Sequence, residues 1–494
     1  MADKFYITTP LYYVNASPHI GHSYTNITAD TLARFKRKAG CEVYFLTGTD
    51  EHGQKMQKAA DEAKLTPQEF ADKMVPQFKN LWQALNISYD DFIRTTEERH
   101  VKTVQRVLEI LYKKGDIYQG KYEGLYCTPC ETFWLESQAA GDLCPDCKRP
   151  VEKISETNYF FKLSKYQDWL IKYIEANANF IKPQMRYNEV LSFLKLNKLT
   201  DLCISRPKER MAWGIPVPFS PEHVTYVWFD ALINYISAIG HFDKDDKYIS
   251  KWWPADLHLI GKDILRQHAV YWPIMLRALG IEPPKTIFAH GWWLVGDDKM
   301  SKSRGNVVNP IDMVNKFGVD VYRYFLLRDV PFGLDGNFSE EALIRRFNAD
   351  LANDLGNLVY RTLTMIEKYF QETIPQKGKL NKEGLKIEES IKALPQEIAS
   401  LLTSESGFNF SLVLEGVWNC VNMANKYVEE TKPWNLAKEN KLDELKAFIR
   451  LLVEVIREVA NQLEPFMPQT AASIKEQLGK DKIKKGKPLF PRIE

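Results

Sequence analysis

Two lysines three residues apart open the chemistry of this chain. They lie in Lys299-Met300-Ser301-Lys302-Ser303, with small hydroxyl residues between and after them. Gly296 precedes the cluster and Gly305 follows it, so the segment can move. A mobile loop carrying two ammonium groups suits charge that develops on transferring phosphates. Taken alone, such a loop is usually a solvated surface turn. Near the other end stands Pro18-His19-Ile20-Gly21-His22. His19 and His22 are three apart, so both point from one face of a helix's first turn. Unpaired backbone N–H groups there, and the helix dipole, favour an anion. Gly21 leaves room for a flat ring against the backbone. Capping or surface histidines are the plainer alternative. A third candidate is Asp50, in Gly48-Thr49-Asp50-Glu51-His52-Gly53. It suits an ammonium group, although a lone Asp in a turn is commonly only a turn former.

The cysteines form a fourth group. Cys127-Thr128-Pro129-Cys130 and Cys144-Pro145-Asp146-Cys147 lie within some twenty residues of each other. Two such knuckles can surround one tetrahedral Zn²⁺ with four thiolates. A disulfide pair or unliganded thiols are alternatives, and an iron–sulfur cluster also takes four cysteines. The compact ribbon spacing favours zinc. Four protein ligands leave no position for chemistry, so the site reads as structural.

These residues need elements to position them. Phe5-Tyr6-Ile7-Thr8-Thr9 reads as a buried strand ended by Pro10. Ser17 is a suitable N-cap and Pro18 a suitable first helical residue, with a helix continuing to about Lys38. Residues 42–46 read as the second strand. A strand followed by a Gly-flanked acidic turn is where open α/β sheets place ligand contacts. Residues 54–114 read as helical, with Phe78, Leu81 and Leu85 at apolar spacing. Short strands are expected at 118–126 and again from 158, then helices to about 197. Residues 226–235 begin as a strand and become helical. Trp228, Ala231, Leu232 and Tyr235 then share one face, a stripe that is more often plain core. Residues 257–260 form another strand, which Gly261-Lys262-Asp263 turns into a helix beginning at Ile264. Ile264 and His268 are one turn apart, and a satisfied core histidine is the plain reading of His268. Residues 286–291 make a further strand. From Ser339 to about Gly479 the pattern is helical, with breaks expected at Pro375, Pro395, Pro433 and Pro465. Leu351, Leu355, Leu358 and Val359 line one helix face, and Asn357 and Arg361 another. The tail at 480–492 is basic and ends in Pro488-Leu489-Phe490-Pro491, which is expected to dock onto the body.

A chain of 494 residues suggests about three domains. The net charge of +2 gives no global attraction to nucleic acid, so a polyanion would bind through local patches. No charged-then-apolar leader opens the sequence and no apolar run approaches a membrane span. Seven cysteines with one tight group of four suit a reducing compartment. A cytoplasmic protein, with no membrane partner, is expected.

His-Ile-Gly-His and Lys-Met-Ser-Lys-Ser together resemble the paired signatures of class I aminoacyl-tRNA synthetases. The sequence between them is similar to the methionyl-tRNA synthetase family, and the likeness runs from about Phe5 to Trp434. It implies an α/β fold: a doubly wound, parallel, Rossmann-like sheet with a zinc-bearing insertion, followed by an all-α helical bundle. Residues 1–115 would be the first half of the catalytic domain, 116–220 the zinc-binding connective insertion, 221–335 the second half with the lysine loop, and 336–494 the helical anticodon-binding domain and tail. The implied reaction joins L-methionine to tRNA(Met) through methionyl-adenylate, with Mg²⁺ accompanying ATP. His19, His22, Lys299 and Lys302 would be catalytic. Gly21, Gly261, the ribose-binding Asp263, His290, Gly291 and Ser301 would complete the ATP site. Pro10, Leu11, Tyr13, Asp50, Trp228, Ala231, Leu232, Tyr235, Ile264 and His268 would hold methionine, the aromatic rings suiting a thin, polarisable thioether. Asn357, Arg361 and Trp434 would face the anticodon.

Three other readings compete with this one. A sister synthetase for isoleucine or cysteine fits less well. The chain is too short for the large editing domain of the branched-chain enzymes, and the four cysteines match the methionine branch better. A nucleotidyltransferase would need neither the helical domain nor the zinc insertion. A scaffold descended from a synthetase would tend to lose the phosphate-handling residues, and all four are present. Glu494 leaves no room for an appended C-terminal tRNA-binding domain, so a monomer is expected.

Overall fold

The site depends on a six-stranded, wholly parallel sheet. In this computed structural model its strands are β1 (Lys4–Tyr13), β2 (Glu42–Asp50), β3 (Asp91–Arg94), β4 (Ile181–Lys182), β5 (Leu257–Gly261) and β6 (Ile287–His290). Their spatial order is β3-β2-β1-β5-β6-β4. The strands are short and buried on both faces; Tyr6, Ile7, Phe45, Leu46, Leu257 and Leu259 are completely enclosed. That pattern is the one a helix-covered parallel sheet requires. Strand order reverses between β1 and β5, and open α/β sheets hold ligands outside such a switch point. The structure describes residues 3–128, 132–134, 142–145, 147–295, 298–299 and 308–493. Chain contacts divide it into two units, Met1–His290 and Gly291–Glu494.

Helix α1 (Ile20–Lys38) connects β1 to β2 and is buried on most sides from Ile20 to Ala33. Its polar residues are satisfied internally: Thr28 and Thr31 hydroxyls donate to the carbonyls four residues back, and Asn26 Nδ2 donates to the Tyr12 hydroxyl at 2.6 Å. The helix starts later than the sequence suggests. Ser17 and Pro18 lie before it, and His19 is the N-cap. Strand β1 also differs, running through Pro10 to Tyr13 instead of ending there. The register shifts between Thr8 and Leu11, so a bulge absorbs the residue that cannot donate to the ladder. Between Gln54 and Lys113 the chain is not helical throughout, because Asp91–Arg94 forms the edge strand β3 beside Leu46–Thr49.

Within the segment expected as an insertion, Ile117–Cys127 pairs antiparallel with Glu152–Phe161 along its length. Thr132–Trp134 and Leu202–Cys203 complete this four-stranded sheet. The same segment returns one strand, β4, to the edge of the main sheet. Residues 227–232 are helical from the start; the strand before them ends at Thr225.

In the second unit helices dominate from Glu340 onward. Leu351, Leu355, Leu358 and Val359 are buried as expected. Pro395 does not break the chain: Lys382–Leu401 is one helix passing through it. The buried face of Ile387, Ile391, Leu394 and Ile398 holds the helix together despite the missing hydrogen bond. The tail docks onto its own unit. Phe490 meets Phe347 edge-on at 5.9 Å, Lys485 pairs with Glu367, and Ile493 N donates to Asn348. No described helix is long and apolar enough to cross a membrane.

Candidate active site

His19 and His22 do double duty. His19 has an extended backbone, and its Nδ1 accepts from Gly21 N at 3.1 Å. His22 Nδ1 accepts from His19 N at 3.2 Å. The two imidazoles therefore form a reciprocal capping box, and their rings stack at 3.9 Å. A Cβ on Gly21 would press on the His19 ring at 3.0 Å, which is why the small residue stands there. Capping has a chemical consequence. A neutral ring that accepts at Nδ1 carries its proton on Nε2. Burial against Tyr12 and Phe78, and then the neighbouring His19, pushes the His22 pKa well below the usual histidine value. His22 is a neutral N–H donor at the positive end of a helix.

Four of the other expected residues end parallel strands: Tyr13 ends β1, Asp50 β2, Gly261 β5 and His290 β6. Tyr13 pairs in register with Asp50, which is 3 % exposed at the end of β2. Beyond the register shift at Pro10, Leu11 pairs with Gly48. Tyr13 meets Trp228 edge-on, rings 6.3 Å apart. Ala231 and Leu232, on the helix Val227–Leu232, are buried; Ile264 is partly buried. Tyr235 and His268 are almost completely enclosed and bonded to each other. The Tyr235 hydroxyl donates to His268 Nε2 at 2.7 Å, while Nδ1 donates to Ile264 O at 2.9 Å. Burial lowers the His268 pKa to about 4. His268 is thus buried with both ring nitrogens engaged, one turn after Ile264.

Asp263 is exposed just beyond β5, next to Gly261. His290 ends β6 and turns toward α1, with Nε2 2.8 Å from Thr25 Oγ1 and its ring edge-on to Tyr24. Gly291 has a packing reason to be glycine: a Cβ would collide with the Leu334 carbonyl. The backbone of Lys299 pairs with Leu294 in a short hairpin. Ser301 and Lys302 lie outside the described residues, as does Cys130.

Cys127, Cys144 and Cys147 bring their sulfurs within 4.8 Å of one another. Cys127 and Cys147 sulfurs are 3.6 Å apart. That is far too long for a disulfide, and no described cysteine is in one. Two thiolates on tetrahedral zinc, each about 2.3 Å from the metal, would stand about 3.8 Å apart. The three sulfurs therefore fit a metal.

In the helical unit Trp434 is 39 % exposed on the short helix Pro433–Lys438. Asn357 is exposed, and Arg361 pairs with Glu429 at 2.6 Å, in the last turns of the helix that ends just before Trp434. The sequence reading did not anticipate one cluster. Asp230 is fully buried between His52 and His100, each 2.7 Å away. Its signal was a lone acid inside Val227-Trp228-Phe229-Asp230-Ala231-Leu232, whose apolar neighbours hid it.

Comparison with known proteins follows the same lines. The family described as "tRNA synthetases class I (M)" matches residues 5–155 and 148–363. The "Anticodon binding domain of methionyl tRNA ligase" matches residues 374–488. The methionine--tRNA ligase of Clostridium tetani is 50 % identical, over 99 % of this chain and 78 % of that protein. That of Thermotoga maritima is 46 % identical, over 99 % and 80 %. The solved Mycobacterium tuberculosis methionyl-tRNA synthetase in complex with methionyl-adenylate superimposes with a TM-score of 0.94 at 40 % identity, covering 99 % of this chain and 100 % of that one. A parallel sheet with a histidine-capped first helix, joined to a helical unit, is the build of a class I aminoacyl-tRNA synthetase. The chain belongs to the methionine--tRNA ligase family. It is a ligase that charges tRNA with methionine at the expense of ATP.

Proposed function

We infer that methionyl-adenylate forms at the C-terminal edge of the parallel sheet before the methionyl group passes to tRNA(Met). The observation that carries this reading is the capping box of His19 and His22, which commits both Nδ1 atoms to backbone at a helix N-terminus and leaves Nε2 of each ring for a phosphate oxygen. The methionine carboxylate attacks the α-phosphorus of ATP. A carboxylate O–P bond forms, the bond to the bridging oxygen breaks, and pyrophosphate leaves. His19 and His22 donate to phosphate oxygens as the five-coordinate state forms. Such fixed donors act where charge develops. Lys302, helped by Lys299, neutralises the leaving pyrophosphate, and Ser301 contributes to ATP binding. Mg²⁺ accompanying ATP would supply further positive charge beside the phosphates. Asp263 holds the ribose, Gly21, Gly261, His290 and Gly291 border the adenosine, and Asp50 holds the substrate ammonium.

The thioether side chain lies between Tyr13, Leu11, Trp228, Ala231, Leu232 and Ile264, with Pro10 setting the strand's path. Tyr235 and His268 support that wall from behind. The terminal ribose hydroxyl of tRNA then attacks the acyl carbon and AMP leaves. Trp434, Asn357 and Arg361 read the anticodon of the bound tRNA. Cys130 would complete a four-thiolate zinc site with Cys127, Cys144 and Cys147, tying the two knuckles together without taking part in the reaction. Thiolates of this kind persist in a reducing compartment, which supports a cytoplasmic enzyme.

Two substitutions test the donor role. His22→Asn keeps an acceptor where Nδ1 stands and so keeps the cap, but lacks the Nε2 donor. It should slow methionine-dependent ATP–pyrophosphate exchange by about 10²–10³, the usual cost of one such donor. His22→Gln, which reaches the Nε2 position, should lose less, and methionine affinity should hold in both. Wild-type exchange in His22→Asn would overturn the reading.

A further inference from the structure

Asp230 takes no part in the steps above, yet it is completely buried, and both its oxygens are engaged. Oδ2 accepts from His52 Nδ1 and Oδ1 from His100 Nε2, each at 2.7 Å. His100 Nδ1 meets Ser237 Oγ at 2.8 Å. Burial alone would raise the Asp230 carboxyl, but His52 and His100 hold it below the usual range, so it is a carboxylate. Three elements meet on this one group: the turn after β2, the helix Glu98–Lys113, and the paired helices Val227–Leu232 and Asn234–Ser237. The turn is held from its other side too. Trp213 lies against the His52 ring at 5.3 Å, and its Nε1 donates to Glu51 O at 2.5 Å.

A buried, hydrogen-bonded carboxylate adds little stability over well-packed apolar residues of similar volume. What it adds is geometry. His52 is two residues from Asp50, and Asp230 lies between Trp228 and Ala231. The carboxylate therefore ties the group assigned to the substrate ammonium to the wall assigned to its side chain.

We propose that Asp230 is a positioning residue, which through His52 sets the distance from Asp50 to the wall formed by Trp228, Ala231 and Leu232, so that both ends of methionine are read against one rigid frame. The inference rests on the methionine-pocket reading given above. Loosening the frame should cost methionine affinity and leave ATP untouched. It should also be repairable by any side chain that restores the one donor to Asp230.

The test uses full-length variants His52→Ala, His52→Asn, Asp230→Asn and Asp50→Asn, read by methionine-dependent tryptophan fluorescence, exchange kinetics and Tm. His52→Ala should weaken methionine binding about tenfold, the scale of a lost hydrogen bond to a charged group, and raise the methionine KM equally. The ATP KM should stay near wild type, while Tm falls because the buried carboxylate is left one donor short. His52→Asn, whose amide N–H falls where Nδ1–H stood, should recover most of the loss. Asp230→Asn should resemble His52→Ala; if it fails to fold, the His52 pair carries the test. Unchanged methionine affinity in His52→Ala overturns the proposal. So does a loss of affinity, ATP KM and Tm together without rescue by Asn, which would mark His52 as a packing residue. Asp50→Asn separates the two levels. If it binds methionine normally, the pocket reading itself falls. If it binds weakly while His52→Ala binds normally, only the frame falls.

Discussion

Histidines in this protein are set by what each ring nitrogen touches. His22 caps a helix through Nδ1. His258 is enclosed between Thr8 Oγ1 at 2.7 Å and Trp272 Nε1 at 3.1 Å. His268 bridges Tyr235 and Ile264. Burial lowers all three pKa values, His268 to about 4 from 6.5. The sign follows from linkage. The unfolded chain binds protons near pH 6.5 that the folded chain refuses, so this stability is complete above that pH and lost on acidification. For His268 alone the loss by pH 4 is roughly 3 kcal/mol. Tm should stay level from about pH 8 to 7 and fall from about 6.5 to 5, above the range where most carboxylates titrate. A Tm unchanged across that lower window, followed by calorimetry, would contradict the assignment. Residue types and spacing made His19, His22, Asp50 and the cysteines legible beforehand. Asp230 and its histidines were not, because His52, His100 and Asp230 are far apart in sequence and only the folded sheet joins them.

At the scale of elements, legibility followed length and pattern. The parallel strands β1, β2, β5 and β6 show as apolar runs between turn residues. Strand β3 does not, since Asp91-Phe92-Ile93-Arg94 is four residues long and carries charges at both ends. The bulge in β1 was hidden because a proline normally ends a strand, while here the local register absorbs it. Pro395 misled in the opposite sense, because the buried face of its helix outweighs one missing hydrogen bond. The cysteine knuckles were the clearest element, since four thiols at that spacing have few other uses. Cys144 is buried in a small cluster with Leu125, Cys127 and Trp134, so a metal bound there should hold that cluster together. The purified chain should carry one zinc, and Cys144→Ser should lose it, by elemental analysis. Loss should weaken methionyl transfer to tRNA more than adenylate formation. Zinc near zero in the wild type, or unchanged in the variant, would contradict this.

The chain forms two compact units, Met1–His290 and the mainly helical Gly291–Glu494. Trp434 tests the helical one. Its indole is 39 % exposed, more than a ring packed between helices would be, and Pro433 fixes the backbone just before it. An indole stacked on an unpaired base contributes about 1–3 kcal/mol. Trp434→Ala should therefore raise the KM for tRNA about tenfold, a loss within that range. Exchange without tRNA, and Tm, should not change. A lower Tm with a proportional loss of exchange would make Trp434 a core residue. The central claim is methionine activation, and one measurement meets it directly: ATP–pyrophosphate exchange with a panel of amino acids and no tRNA. Methionine should drive exchange strongly. Norleucine should be a poor but real substrate, since a hydrophobic pocket discriminates by only about 1–3 kcal/mol per methylene. Isoleucine, branched at Cβ, should give nearly none. Equal exchange with isoleucine and methionine, or exchange that ignores methionine, would contradict the account.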